Sequence, residues 1–439
     1  MSKQNMEFKD SGIAWIGQIP KHWEIKRLKF ILNERKENNK PVKTDFILSL
    51  TNEKGVIPYS EKGAQGNISK DDITGYKLAY PNDIILNSMN VVIGSVGLSS
   101  YFGAISPVYY ALYSKENSNI KFYNYIFQTS VFQNSLKGLG NGILEIRMRI
   151  PMSNLNNVFL PYPPLNEQKK IAEFLDKKCE IIDKRLSNLE RKIKSLKEYK
   201  KSLISECVTK GLNPKNREFK DSQISWIGQI PKHWKISKIK YECFLKGRIG
   251  WQGLTTAEYI EEGAYLVTGV DFLNGNIDWQ NCVRVSEWRF NQAPEIQIKN
   301  NDLLITKDGT VGKIALTKDT PKQATLNSGV MLIRPKNKNY YEKFLFYILS
   351  SDQFWLWFSY INSGNTTIIH LYQNSFDNFS FTLPPLNEQK KIAEFLDKKC
   401  EKIDRLNENY AKQITALKEY KKSLIYECVT GKKRDLNLL

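Results

Sequence analysis

PPLNEQKKIAEFLDKKCE occupies residues 163–180 and recurs without a change at residues 384–401. The block opens a helix. Pro163 and Pro164 stop any strand before it, Asn166 is expected as the N-cap, and Glu167 falls in the first turn. Apolar residues then return every seven positions, at Leu175, Ile182, Leu189, Leu196 and Leu203. Cys179, Leu186 and Ile193 sit four residues after the first three. This is an a/d seam. Gly211 and Pro214 end it, so the spacing predicts a rod of some forty residues, about 60 Å long.

The second copy carries the seam at Leu396, Ile403, Tyr410, Leu417 and Leu424, with Cys400, Asn407 and Ile414 as the interleaved set. LKEYKKSLISECVT at Leu196 returns as LKEYKKSLIYECVT at Leu417. A helix with one apolar stripe must bury it, and the obvious partner is its own copy. A second subunit is the alternative. Related halves of one chain commonly pack about a pseudo-two-fold axis, which lays the two helices antiparallel. Polar Asn407 in the seam would fix register.

A shorter block is also written twice. EFKDSGIAWIGQIPKHWEIKRLK starts at Glu7, and EFKDSQISWIGQIPKHWKISKIK starts at Glu218, 211 positions later. If the halves are equivalent in space, the first of these should sit where the second long helix ends. Trp15, Ile16 and Trp23, with their copies Trp226, Ile227 and Trp234, read as core at the junction of insert and helix; a docking surface for another subunit is the sharper alternative. His22 and His233 read as hydrogen-bonded structural residues.

Between the repeated blocks lie two unlike inserts, residues 30–160 and 241–383. NDIILNSMNVVIGSVGLSS at Asn82 and NDLLITKDGTVGKIAL at Asn301 read as strand–turn–strand units. VYYALYS at Val108 and GVMLIRP at Gly329 read as further strands. The aromatic stretches at Phe122 and Phe344 read as helices packed on the sheets. Each insert is thus an α+β domain of about 130–140 residues.

The chain has 439 residues, 41% hydrophobic and 12% aromatic, enough for two to four domains with their own cores. No apolar run reaches the ~18 residues of a membrane helix. The N-terminus lacks a signal-peptide core, so a cytoplasmic location is expected. Six cysteines without a CxxC pair, and only three histidines, point to reduced structural thiols and away from zinc. A net charge of +19, from 65 Lys+Arg against 46 Asp+Glu, suggests a polyanionic partner.

Taken together, the W-I-G-x-I-P-x-H-W blocks (residues 15–23 and 226–234), the P-P-L-x-E-Q-x-x-I-A-x-F-L-D helix openings and the Gly309-Thr310-Val311-Gly312-Lys313 turn resemble the specificity subunit (HsdS) of a Type I restriction–modification system. The resemblance covers essentially the whole chain. It implies two target recognition domains joined by two long antiparallel helices in a coiled coil. Each domain would read half of a bipartite, asymmetric double-stranded DNA site. The helices would set the spacing and dock two modification (methyltransferase) subunits. S-adenosylmethionine is then expected on those subunits, and ATP and Mg on a restriction subunit. The expected boundaries are residues 1–160 for the first recognition domain and 161–211 for its helix, then 212–383 and 384–439 for the second pair. The first insert departs from the glycine turn, with Ser95-Val96-Gly97 and no lysine.

Catalytic signatures are missing. The P-P pairs of Tyr162-Pro163-Pro164-Leu165 and Leu383-Pro384-Pro385-Leu386 are helix stops, not a methyltransferase N/D-P-P-Y/F motif. The turn at Gly309 lacks the spacing and trailing Ser/Thr of a phosphate loop. Glu198-Tyr199-Lys200 and Glu419-Tyr420-Lys421 lie mid-helix, away from any nuclease strand. The chain reads as a binding module, with a protein-binding adaptor as the rival class. Base readout uses Arg and Lys on guanine, and Asn and Gln on adenine. The candidates in the second insert are Arg248, Trp251, Gln252, Lys307, Asp308, Thr310, Lys313, Asn327, Ser328, Asn365, Thr366 and His370. Those in the first are Asn87, Ser88, Asn90, Arg147 and Arg149, the last two on an expected strand EIRMR at Glu145. Trp251 is as well explained by a core position, and Lys313 is the candidate for a backbone phosphate.

Overall fold

A computed structural model describes residues 7–52, 54–63, 72–140, 149–248, 254–363 and 369–433. The chain divides into two compact units, Met1–Glu190 with Ala411–Leu439, and Arg191–Tyr410. The long helices are Leu165–Lys210 and Leu386–Val429, 46 and 44 residues. Each is about 65–70 Å long and contributes one segment to each unit.

The helix openings differ from expectation in one detail. Asn166 is not the cap: the helix begins at Leu165, and the Pro164 carbonyl accepts from the Glu167 and Gln168 amides. A proline carbonyl can close that turn although proline lacks a donor. Gln168 and Gln389 are fully buried behind the two openings. Gln168 donates to the Pro163 carbonyl (2.7 Å) and accepts from the Asn119 amide (2.8 Å). Gln389 repeats this with Pro384 (2.8 Å) and Tyr341 (2.8 Å). Gly211, at φ +78°, ends the first helix as anticipated.

Within each unit the two helical segments run antiparallel. In the first, Asp183 meets Lys421 at 2.6 Å and Glu190 meets Lys418 at 4.0 Å. In the second, Lys200 meets Asp404 at 2.7 Å, and Lys192 lies over the Tyr410 ring. These pairs are exposed and contribute little stability; they report register. The seam is deepest near the globular parts. Leu175, Cys179, Ile182, Leu424, Ile425 and Cys428 share one core, and Ile204, Cys207, Val208, Leu396 and Cys400 share the other. Leu186, Ile193, Leu196, Tyr410, Ile414 and Leu417 are only half-buried, because two helices alone cover a single stripe. Near the end of the first helix Ile204 replaces Leu203 as the buried residue. The Asn407 side-chain oxygen is buried there without a hydrogen-bond partner.

The two inserts share a four-stranded antiparallel sheet. In the first unit its order is Leu32–Arg35, Tyr109–Ser114, Ile84–Asn87, Val96–Leu98. In the second it is Cys243–Gly247, Val330–Pro335, Leu303–Thr306, Ile314–Leu316. The expected strand–turn–strand units are therefore one inner strand of each sheet and the edge strand beside it. Helices Ile120–Gln128 and Glu342–Leu349 supply the aromatic layer. Phe122, Tyr123 and Phe127 are fully buried in one, and Phe344 in the other. The second insert adds a three-stranded sheet, Val283–Val285, Ala264–Val267, Ala324–Leu326, whose last pair is parallel.

Each insert leaves the scaffold and returns to it at one place. Glu24–Arg27 pairs with Phe159–Tyr162, and Lys235–Lys238 pairs with Ser380–Leu383. The repeated tryptophan blocks lie beside these pairs. Trp15, Ile16 and Trp23 are buried in one core with Leu424, Ile425, Cys428 and Val429. Tyr426 donates its hydroxyl to the Trp15 carbonyl (3.2 Å), and Lys432 Nζ donates to the Ile16 carbonyl (2.8 Å). The first block thus sits where the second helix ends, as the repeat order predicts. Trp234 and Ile227 belong to the other core with Cys207 and Val208. Trp226 is only partly buried, against Tyr360 at 5.5 Å.

Candidate nucleic-acid interface

Both glutamates in the duplicated helix openings gather the histidine and tryptophan of their block. Glu167 accepts from Trp23 Nε1 (2.8 Å) and pairs with His22 Nε2 (2.7 Å). Glu388 accepts from Trp234 Nε1 (3.1 Å), pairs with His233 Nε2 (2.7 Å), and also takes Arg217 (2.8 Å). Burial pushes the Glu388 carboxyl up, but the bonds from Arg217, His233 and Trp234 outweigh it and hold it below its ordinary value. His22 and His233 are therefore orienting groups of the scaffold. The sequence signal for these glutamates was their place inside one duplicated block opposite a duplicated His-Trp pair.

The turn from Thr306 to Lys313 is built on its own backbone. Thr306 Oγ1 donates to the Thr310 carbonyl (2.6 Å) and accepts from the Lys313 amide (2.9 Å). Gly309 and Gly312 take φ of +67° and +83°. A Cβ on Gly312 would stand 2.5 Å from the Trp355 ring, so glycine is required twice over, by conformation and by space. Lys313 does not reach outward: its Nζ donates to the Gly269 carbonyl at 2.8 Å. A phosphate contact by Lys313 would require the ammonium to leave that carbonyl. Thr310 is exposed at the tip.

An open cleft of ≈ 330 Å³ lies beside this turn, lined by Gly247, Arg248, Lys307, Asp308, His370 and Tyr372 among others. Asp308 Oδ1 is 2.6 Å from His370 Nδ1, and Asp308 Oδ2 is 3.7 Å from Lys307 Nζ. All three side chains are about one quarter to two fifths exposed. Arg248 is different. It is 3% exposed, with Nε on the Leu326 carbonyl (2.8 Å) and Nη2 on Thr325 Oγ1 (3.1 Å). Burial lowers its pKa. It ties the end of the Cys243–Gly247 strand to the neighbouring sheet, while its Nη1 is buried without a hydrogen-bond partner at the wall of the cleft. Asn327 is turned on itself, accepting from the Ser328 amide (2.5 Å) and hydroxyl (3.1 Å).

In the first unit Ser88 is fully buried and donates to the Val108 carbonyl at 2.8 Å. Asn87 is 8% exposed and accepts from the Met89 amide. Both are buried at the end of the Ile84–Asn87 strand. Asn90 is half-buried in the turn and Arg149 is exposed. Ile84 opposes Leu98, as Leu303 opposes Leu316. By that register Gly94 and Ser95 answer to Gly312 and Lys313. The glycine of the first turn is Gly94, at φ +91°, not Gly97. Arg147, Trp251, Gln252, Asn365 and Thr366, with most of the EIRMR stretch, lie outside the described residues.

Sequence reasoning missed Tyr372 and Gly247, and it did not see that residues 149–150 and 370–371 answer to each other. All six cysteines are free and buried, and burial pushes Cys207 and Cys428 up to about 12. Among the described residues no cluster of three or more His, Cys, Asp or Glu could hold a metal, and no helix is long and apolar enough to cross a membrane.

The architecture is a doubled scaffold carrying two differently filled sheet domains. The profile of the family described as Type I restriction modification DNA specificity domain matches residues 20–196 and again residues 231–416. The chain belongs to that family and carries its domain twice. It is a DNA-specificity component, not an enzyme. It is 26% identical over 447 residues to the putative type I restriction enzyme MjaX specificity subunit of Methanocaldococcus jannaschii, covering 95% of each chain. It is 26% identical over 441 residues to the MjaVIII specificity subunit of the same organism, covering 96% of this chain and 95% of that one. In fold it is similar to a chain of a solved type I R-M system (TM-score 0.71, 16% identity, 94% of this chain and 98% of that one). The HsdS subunit from Thermoanaerobacter tengcongensis is also similar, with TM-score 0.55 at the same identity and coverage.

Proposed function

We propose that each insert domain reads one half of a bipartite, asymmetric site on double-stranded DNA, and that the long helices set the distance between the halves. The same reading makes the duplicated scaffold the dock for two modification subunits, which would hold S-adenosylmethionine. A restriction subunit using ATP and Mg would join the full complex. The observation that carries this is the pairing of near-identical scaffold blocks with inserts that share a sheet but not its surface chemistry. Two equal docks suit two equal partners, and two unlike surfaces suit two unlike half-sites. The net charge of +19 suits a polyanion.

The test is an exchange of residues 30–158 for the insert of a relative. The cut lies just outside the Glu24–Arg27/Phe159–Tyr162 strand pair, so the scaffold is preserved. The methylated motif of the host, read genome-wide, should change in one half and keep the other. A change in both halves, or in neither, would sink the reading. Binding to duplex DNA that does not weaken with salt would favour the protein-adaptor class instead.

A further inference from the structure

One backbone frame recurs in both domains at the end of the inner sheet strand. In the first, the Ser88 amide donates to the Val108 carbonyl (3.4 Å), and the Ser88 carbonyl accepts from the Ile150 amide (2.9 Å). In the second, the Lys307 amide donates to the Gly329 carbonyl (2.8 Å), and the Lys307 carbonyl accepts from the Leu371 amide (2.9 Å). The frame joins the hairpin turn to a strap that follows the aromatic helices. Its side chains are not repeated. Ser88, Met89 and Arg149 stand in the first domain where Lys307, Asp308 and His370 stand in the second. Fixed backbone with exchanged side chains is what a reading head on a common handle requires.

The second set has a definite chemistry. A carboxylate at its centre disfavours a phosphate, so the cluster suits a base edge better than the DNA backbone. His370 engages Asp308 Oδ1 at 2.6 Å, which fixes the carboxylate and leaves Oδ2 facing Lys307 Nζ across 3.7 Å. A donor beside an acceptor at that spacing matches the major-groove edge of a G·C pair. There guanine offers O6 and N7 as acceptors, and its partner cytosine offers the N4 amino group as donor. Arg248, tied to Leu326 and Thr325, holds the wall of the cleft behind them.

We propose that this turn-and-strap frame is the base-reading element of each domain, and that in the second domain Lys307 and Asp308 read one G·C pair. Lys307 takes the guanine acceptors and Asp308 takes the cytosine amino group. His370 is a positioning residue for Asp308. The first domain has no carboxylate at this place, so its half-site differs at the corresponding step. The inference rests on the reading of the insert domains as half-site readers.

Selection of bound duplexes from a randomised library by the full chain tests it, with half-sites assigned by the insert exchange. Wild type should return a two-part motif with a G·C pair in the second half. Lys307→Ser and Asp308→Asn should each relax that one base pair, lowering discrimination there roughly tenfold or more. The first half should stay intact in the same molecules, which also shows that they are folded. His370→Gln should relax the same position and no other. Unchanged discrimination in both Lys307→Ser and Asp308→Asn, with a wild-type two-part motif, would overturn the proposal alone. So would relaxation at an A·T pair. A wild-type chain that returns no motif would remove the half-site reading, and this proposal with it.

Discussion

Asp83 and Asp302 occupy the same place in the two sheets, one residue before the inner strand, yet the arginines that hold them come from different strands. Arg35, on the outer strand Leu32–Arg35, grips Asp83 at 2.7 and 3.0 Å. Arg334, on the central strand Val330–Pro335, grips Asp302 at 2.7 and 2.6 Å. A nearly buried carboxylate must be paired. The fold needs that pairing and is indifferent to which strand of the sheet supplies it. The scaffold behaves oppositely: His22, Trp23 and Glu167 recur atom for atom as His233, Trp234 and Glu388. At these places the inserts keep the backbone of the four-stranded sheet and exchange the side chains, whereas the scaffold keeps both.

The comparison can be broken at several points. The largest effect is expected from lengthening the helices. Ser195 and Asn409 lie in the stretch bounded by the Lys192–Tyr410 and Lys200–Asp404 contacts. Seven residues added at each keep the heptad and lengthen the rods by about 10 Å. The half-sites should move apart by roughly three base pairs, at 3.4 Å per step, with their bases unchanged. Methylation-motif sequencing reads this directly, and altered bases at unaltered spacing would contradict it.

Next come the paired tryptophans. Trp23→Ala and Trp234→Ala should each cost about 3–5 kcal/mol in urea unfolding, because each empties a buried site of the largest side chain. Similar costs in the two units would sharpen the idea of one scaffold used twice. A large cost in one and little in the other would break it.

The glutamates should differ by less. Glu388→Ala should cost about 1–3 kcal/mol, leaving buried Trp234 Nε1 and Arg217 without their acceptor. Glu167→Ala should cost less, since Arg217 has no counterpart among the described partners of Glu167. Because the Glu388 pKa is depressed in the folded chain, its contribution is present above the ordinary carboxylate range. It is lost as pH falls through the folded value. Acid unfolding of Glu388→Ala should therefore be shallower than that of the wild type.

The smallest effect is expected at Lys313. With Nζ on the Gly269 carbonyl, Lys313→Ala should lower stability by about 1 kcal/mol and leave the salt slope of DNA binding unchanged. A slope reduced by about one unit would mean that the lysine leaves Gly269 for a phosphate.

Much was legible in the sequence. The seven-residue spacing from Leu175 onward gave the helices and their seam, because period is a local property that survives any packing. The repeat order placed the first tryptophan block at the end of the second helix, because equivalent pieces seek equivalent neighbours. The strand–turn–strand units at Asn82 and Asn301 were visible as short apolar runs broken by glycine and asparagine.

Other features were decided by tertiary structure alone. Ser88, Arg248 and Lys313 are polar residues beside turns, which is how an exposed contact looks in sequence. Folding buries the first two and bends the third onto a carbonyl. Burial depends on what arrives from distant strands, such as Val108 behind Ser88 and Leu326 behind Arg248, and no local pattern encodes those arrivals. The match of Gly94 to Gly312 likewise needed the strand register, since the first turn is one residue longer. Sequence determined that this chain is one scaffold used twice with two inserts; the tertiary structure decided which side chains of those inserts are left to face a partner.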